Sequence, residues 1–392
     1  MASLILAALA DDLTGAAEIA AIGKRHGLPT RIFTSTATPS AHAGLFVHDS
    51  DSRLLSAEEA ALRITRLGPA LVARKPGFIF KKTDSVLRGN VVAEVIALAR
   101  ILDLRRVLLV PANPSLGRTI TQGQYFVHGV PIDQTSFAHD PHHPARSARV
   151  ADLLGSVPNW AVSIIKVGDP LPEHGIVVGE VSTSSDVESW AKRLDGVTLA
   201  AGGAEFFQAC LKQQGFTPTP SNQLFPEGAT LVVTGSLTPA RQKLLEHAQS
   251  GRWPIHAMPA DLTQENFSQW TEQVAHSLTS RKLALTESPR VALNDPSIAQ
   301  HIRHCFGQMV RELLTKNTIG HLVVEGGATA AAISEAAEWT SFDVAGEWAP
   351  GVIALHPTNA PQLLFTIKPG SYSWPENLWR QLDTSVQSKA HS

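Results

Sequence analysis

The chain has 392 residues, enough for two domains whose cores need no disulfide or metal to hold them. Hydrophobic residues make up 43%, and 33 Lys+Arg stand against 35 Asp+Glu for a net charge of -2. That composition excludes a disordered chain and argues against nucleic acid or an acidic membrane as the main partner. Cys210 and Cys305 lie far apart without CxxC spacing, which excludes a disulfide scaffold and a zinc ribbon and fits a reducing compartment. The N-terminal run has no basic start and stops at Asp11-Asp12, and no stretch reaches the ~18 apolar residues of a membrane span. The expected location is the cytoplasm, with no membrane partner. Oligomeric state is not legible.

Over the first 115 residues one pattern recurs: apolar strand, polar loop, amphipathic helix. Leu4–Ala10 reads as a strand covered on both faces, and Ala16, Ile19, Ala20 and Gly23 recur at helical spacing until Gly27-Leu28-Pro29. Arg31–Thr34 and Leu45–His48 are further strands, and Ser56–Glu59 is a capping-box start. Phe78–Phe80 precedes a helix marked by Val91, Val95, Leu98 and Leu102, and Val107–Val110 is a fifth strand. Such alternation predicts an α/β fold with a parallel sheet, whose ligands bind at the carboxyl ends of the strands. A polar cluster follows each of several strands. Parallel pairing would put Asp11, Asp12, Asp49, Asp51, Arg53, Lys82, Asp84, Arg88 and Asn113 on one rim.

Beyond this, Gln124–Val127 and Val130–Ile132 flank His128-Gly129 as a hairpin, and 150–215 carry weaker strand and helix signals. Three prolines and two glycines mark Gly215–Gly228 as a linker. The expected boundaries are a first domain at 1–215, a linker at 216–228, a second domain at 229–384 and a frayed tail at 385–392. Each domain is expected to have a mostly parallel sheet flanked by helices. In the second, Thr230–Val233 leads into Thr234-Gly235-Ser236, Leu322–Val324 into Glu325-Gly326-Gly327-Ala328-Thr329, and Leu363–Ile367 into Lys368-Pro369-Gly370-Ser371.

These clusters admit structural as well as chemical readings. A helix N-cap accounts for one of Asp11 and Asp12, leaving the other for sugar hydroxyls or general-base work. Lys81–Gly89 gathers cations and small hydroxyls at a helix start, suited to an anion, with Arg88 able to hold a carboxylate bidentately; a solvated, capped loop is the alternative. His139-Asp140-Pro141-His142-His143 has metal-ligating residue types, but its prolines suit an ordinary exposed loop, and no metal site is assigned. Neither GxxxxGK nor GxGxxG occurs, which argues against a Walker A site and a dinucleotide enzyme of the usual type. Three small-residue loops after strands suit a nucleotide pocket built mainly from backbone, though tight turns explain single glycines as well.

Ala10–Ala16, Asp51-Ser52-Arg53, Lys81–Gly89 and Pro111–Arg118 through Gly129-Val130-Pro131 resemble the four-carbon acid sugar kinases, that is, the threonate, erythronate and 3-oxo-tetronate kinases. The second half resembles their nucleotide-binding domain at Thr234-Gly235-Ser236, Gly326–Thr329, Pro350-Gly351 and Lys368-Pro369-Gly370. The resemblance implies a sugar-acid domain, an ATP domain, a cleft between them and Mg2+-dependent transfer of the γ-phosphoryl group to a terminal hydroxyl. It makes Asp12 and Asp84 the catalytic candidates. Asp11, Arg53, Lys82, Ser85, Arg88 and Asn113 become candidate substrate contacts, and Ser236, Gly326, Gly327, Ala328, Thr329 and Gly370 candidate nucleotide contacts. The chain departs from the family where Ala328 replaces an Asp and Ser371-Tyr372-Ser373 replaces further glycine. A non-catalytic sugar-acid-binding or regulatory protein with a degenerate ATP site is the alternative expectation.

Overall fold

The computed structural model describes residues 5–34, 44–140, 142–219, 224–235, 239–289, 296–316, 318–370 and 372–387. Ser236, Ser371, Leu4, Pro141, residues 220–223 of the expected linker and 388–392 of the expected tail lie outside them. The chain divides into two compact units, Met1–Pro220 and Ser221–Ser392.

The first unit opens with β1 (Ile5–Ala10), α1 (Leu13–Arg25), β2 (Thr30–Phe33), β3 (Gly44–Asp49), α2 (Ala57–Val72), β4 (Phe78–Lys82), α3 (Val91–Ile101) and β5 (Arg106–Val110). A small meander follows, β6 (Arg118–Thr121), β7 (Gln124–Val127) and β8 (Val130–Pro131). Then come α4 (Val150–Leu154), β9 (Val162–Ile165), β10 (Gly175–Gly179), α5 (Ser184–Ala191), β11 (Thr198–Gly202) and α6 (Ala204–Gln213). The main sheet runs β2-β3-β1-β4-β11-β5-β10-β9, every neighbouring pair parallel.

Local chemistry explains the elements. Leu6 through Ala10 are wholly buried, as an apolar run covered on both faces must be. Gly23 lets α1 lie close on β3, since a Cβ there would sit 2.4 Å from Leu45 Cδ2. Ser56 and Glu59 form the capping box that starts α2. The chain leaves β1 toward β2 and β3 on one side and returns to β4 on the other. That makes β1 the switch strand, and the crevice at its carboxyl end the natural ligand site.

One placement was not legible from the sequence: β11 enters the middle of the sheet, between β4 and β5. Gly202, at its end with φ +150°, accepts the Thr83 N–H at 3.0 Å, and a Cβ would lie 2.1 Å from the Val110 carbonyl oxygen. Backbone cannot yield as a side-chain tip can. Gly202→Ala is therefore expected to destabilise the first unit by about 2–4 kcal/mol, read as a lower urea midpoint at unchanged slope.

The second unit comprises β12 (Thr230–Thr234), α7 (Pro239–Ser250), β13 (Ile255–Ala257), α8 (Gln264–Arg281), β14 (Leu283–Glu287) and α9 (Pro296–Thr315). It continues with β15 (His321–Glu325), α10 (Gly327–Ala336), β16 (Ser341–Ala349), β17 (Val352–Pro357), β18 (Leu364–Lys368) and α11 (Glu376–Gln387). Its strands run β13-β14-β12-β15-β18-β17-β16. Pairing is parallel as far as β18, whereas β17 is antiparallel to both its neighbours. Both units are thus α/β, with mostly parallel sheets flanked by helices. Among the described residues no helix is long and apolar enough to cross a membrane.

Candidate active site

The first unit gathers its chemistry at the carboxyl ends of β1, β3 and β4. Asp12 is the N-cap of α1: Oδ1 accepts the Gly15 N–H at 2.8 Å and Oδ2 accepts the Thr14 hydroxyl. The cap is real, yet it does not exhaust the residue. Arg53 donates through Nη1 and Nη2 to Asp12 at 2.6 and 2.7 Å and through Nε to Asp11 at 2.7 Å. Arg53 Nη2 also lies 3.9 Å from Asp84 Oδ1. One guanidinium therefore ties together the loops after β1 and β3.

The segment after β4 is equally bound. Asp84 accepts Arg88 Nε at 3.0 Å and Nη2 at 2.9 Å, plus the backbone N–H groups of Val86 and Arg88. Arg88 Nη1 donates to Asp140 at 3.1 Å. Lys82 donates to the Thr83 carbonyl at 2.9 Å and lies 3.5 Å from Glu18. Ser85 Oγ accepts from Arg118, and its carbonyl accepts the Tyr125 hydroxyl at 2.5 Å. Beneath the rim Lys81 pairs with Glu94 at 2.7 Å, and Glu94 also accepts the Ser52 hydroxyl.

The structure thus brings Asp11, Asp12, Arg53, Lys82, Asp84, Ser85 and Arg88 into neighbouring loops. Asn113 stands apart: β11 separates its strand from β4, and its side-chain oxygen accepts from Ser115. Sequence reading missed Asp140, His143 and Arg118 at this rim. His143 Nε2 lies 2.9 Å from the Arg53 carbonyl, and the Phe137 ring sits 5.6 and 5.8 Å from the guanidinium carbons of Arg88 and Arg118. The histidines around Asp140 have metal-ligating residue types, but among the described residues no group of three His, Cys, Asp or Glu side chains is placed to hold a metal ion.

Electrostatics sort the carboxylates. Burial alone would raise Asp84, but Arg88 and then Arg53 outweigh it and hold the carboxyl well below the usual range. Burial opposes Arg53 in the same way at Asp11, whose carboxyl is also held low, with Lys81 and Lys82 helping. Asp49, buried and next to Asp51, is pushed up instead, first by desolvation and then by its acidic neighbours. Among the buried polar atoms without a hydrogen-bond partner in the described residues, Asp11 Oδ1 lies directly after β1 and Thr83 Oγ1 directly after β4. Open acceptors of this kind at a switch point suit ligand hydroxyls.

In the second unit Gly326 opens α10 at φ +107°, a conformation suited to glycine, and no side chain caps the helix. The first-turn N–H groups of Gly327, Ala328 and Thr329 have no intrahelical acceptors, so they can receive an anion. Ala328 is exposed there, while Thr329 is buried against Gly235, where a Cβ would lie 2.6 Å from the threonine oxygen. Gly235 is thus explained by packing. The Gly326 N–H donates to the Lys368 carbonyl at 2.9 Å, joining the glycine loop to the loop that carries Gly370.

Sequence reading also missed the pair below this loop. Lys368 donates to Glu325 at 2.9 Å with both side chains wholly buried, and Glu325 accepts the Thr234 hydroxyl at 2.7 Å. Lys368 neutralises a carboxylate that would otherwise stand uncompensated beside the adjacent helix start.

Residues 6–194 match the family model described as a sugar-binding N-terminal domain, and 231–372 match a nucleotide-binding C-terminal domain. The D-threonate kinase of Salmonella typhimurium is 25% identical over 380 residues, covering 87% of this chain and 88% of that protein. The 3-oxo-tetronate kinase of Methylobacterium radiotolerans is 24% identical over 425 residues, covering 97% and 99%. A solved Salmonella typhimurium structure, 20% identical, aligns over 98% of this chain and 100% of its own with a TM-score of 0.77, so the fold is shared. Sugar-binding and nucleotide-binding domains in this order, with these relatives, show that the chain is a sugar-acid kinase and belongs to the four-carbon acid sugar kinase family.

Proposed function

We propose that this kinase transfers the γ-phosphoryl group of ATP to a terminal hydroxyl of a four-carbon sugar acid, a tetronate or 3-oxo-tetronate. The observation that carries the substrate half is the pair of buried, unpartnered atoms Asp11 Oδ1 and Thr83 Oγ1 beside the Arg53 and Arg88 clusters. Hydroxyls donate to the first pair, and a carboxylate is drawn to the arginines. Lys82 and Ser85 extend the same rim.

Phosphoryl transfer depends on positioning and charge compensation more than on a strong base. Asp84, bound by Arg88 and two backbone N–H groups and held low, is a poor proton acceptor. Asp12 is the better group to orient the accepting hydroxyl, because one of its present donors is the Thr14 hydroxyl, which a substrate hydroxyl can replace in kind. The N–H groups at the start of α10 would receive the ATP phosphates, with Gly326 and Gly327 permitting close approach. Magnesium would arrive on the triphosphate, keep several waters and neutralise charge between the phosphates.

Ala328 favours a second reading, a sugar-acid-binding protein whose ATP site is degenerate, because that exposed position supplies no carboxylate. ADP release measured across a panel of four-carbon acids, with ATP titrated by calorimetry, separates the two. Turnover with at least one acid is expected; sugar-acid binding without ATP binding would establish the second reading. In the active chain Asp12→Asn is expected to lower kcat about 10²–10⁴-fold with a much smaller change in KM.

A further inference from the structure

We propose that Asp140 holds the place of the substrate's carboxylate on Arg88 and is displaced by it. The inference rests on the sugar-acid reading above and specifies how that site admits an anion.

The difficulty is one of charge. The arginines of the rim are already engaged: Arg53 binds Asp11 and Asp12, Arg88 binds Asp84 and Asp140, and Arg118 donates to Ser85. An incoming carboxylate that seeks Arg88 must therefore take a donor edge now held by a resident carboxylate.

The two residents on Arg88 are not equivalent. Asp84 takes two guanidinium bonds and two backbone bonds, and its side chain is 8% exposed. Asp140 takes a single bond, from Nη1 at 3.1 Å, and its side chain is 17% exposed. Its other oxygen, Oδ1, accepts the N–H groups of His142 and His143 at 3.0 and 2.9 Å, so that oxygen is committed to a local turn. Breaking one bond frees Nη1 and returns Asp140 to water. Freeing the Asp84 edge would instead strand a buried carboxylate.

The turn is also tied to the ring above the guanidinium groups. The Asp140 and Ala145 N–H groups both donate to the Phe137 carbonyl, and the Phe137 ring lies over Arg88 and Arg118. Releasing Asp140 therefore shifts the ring that covers these guanidinium groups. A hydroxylated monocarboxylate can replace the lost charge; a neutral polyol cannot.

The test is Asp140→Asn in the full-length chain. Asn keeps Oδ1 as acceptor for the turn but presents an amide in place of the charged oxygen. By calorimetry with D-threonate and D-erythronate, without ATP, the variant is expected to bind acid about tenfold more tightly, the scale of one charge-assisted bond removed from competition. Affinity for the matching four-carbon polyols should not change. A second readout needs no variant: Arg146 is exposed just after the turn, so acid should accelerate tryptic cleavage there in the unmodified chain, whereas Asp140→Asn should be cleaved fast from the start. Unchanged or weaker acid binding in the variant, or cleavage slowed by acid in the unmodified chain, overturns the proposal. If neither chain binds any acid, the sugar-acid reading falls, and this inference with it.

Discussion

Arg53→Ala is expected to abolish measurable turnover and to remove about 3–5 kcal/mol of stability, the usual consequence of breaking a buried ion pair by removing one partner. Arg53 is the common counterion of Asp11 and Asp12 and lies beside Asp84. Alanine leaves these carboxylates in a buried rim that already contains Asp49, whose carboxyl is pushed up by burial and acidic neighbours. The pH response gives the variant a signature. In the unmodified chain Asp11 and Asp84 are held low, so their stabilisation is complete above the unfolded carboxylate range near pH 4 and is lost only as pH falls further. Without Arg53 the balance at Asp11 shifts toward burial, and its carboxyl should rise. A group raised in the folded state stabilises at low pH and loses that contribution as pH climbs. The variant's urea midpoint should therefore increase from pH 7.5 to pH 5 by more than that of the unmodified chain, where Asp49 and Glu94 are already raised. A flat or falling midpoint in the variant would show that Arg53 is not the counterion that sets this rim.

Glu325→Ala should cost the second unit about 3–5 kcal/mol, because it strands the Lys368 ammonium in the core. Burial already holds Lys368 below its ordinary value, with Glu325 opposing that fall. Without the partner the depression deepens. A lysine depressed in the folded state binds fewer protons there than when unfolded, so stability rises with pH. The variant's urea midpoint should climb from pH 7 toward pH 9.5. The double variant Glu325→Ala/Lys368→Met should recover more than half of the loss, since no unpaired charge remains. ATP affinity should fall in the single variant, because the Lys368 carbonyl holds the Gly326 N–H at the phosphate end of α10. A single variant as stable as the parent would mean that the pair is not what organises these strand ends.

Much of the rim was legible because adjacent parallel strands deliver their following loops to one edge, which short-range patterns reveal. Asp11-Asp12, Asp51–Arg53 and Lys82–Arg88 each stand directly after an apolar strand. What escaped depends on partners remote in sequence. β11 has ordinary strand character, but nothing local says that it enters between β4 and β5 and so sets the loop of Asn113 one strand further from that of Lys82. Lys368 and Glu325 read as loop-edge charges. Only the β15–β18 register, which sets Glu325 opposite Lys368, makes them a buried pair. The β16–β17 hairpin was an avoidable miss: Ser341–Ala349 alternates half-buried and buried positions, and Pro350-Gly351 follows it directly.

The late arrival of β11 governs how this protein can be made. The rim loops that follow β1, β3 and β4 have all been synthesised by Gly89, yet the strand that joins β4 to β5 ends only at Gly202. A nascent chain of intermediate length therefore carries the rim loops of β1, β3 and β4 on a sheet with a gap in the middle, its β4 and β5 edges open to wrong partners. At roughly 5–20 residues per second of synthesis, that interval lasts on the order of ten seconds. Closure then depends on contacts more than a hundred residues apart in sequence, the kind that form slowly. Truncations between residues 110 and 200 should aggregate rather than yield a smaller sugar-acid-binding module.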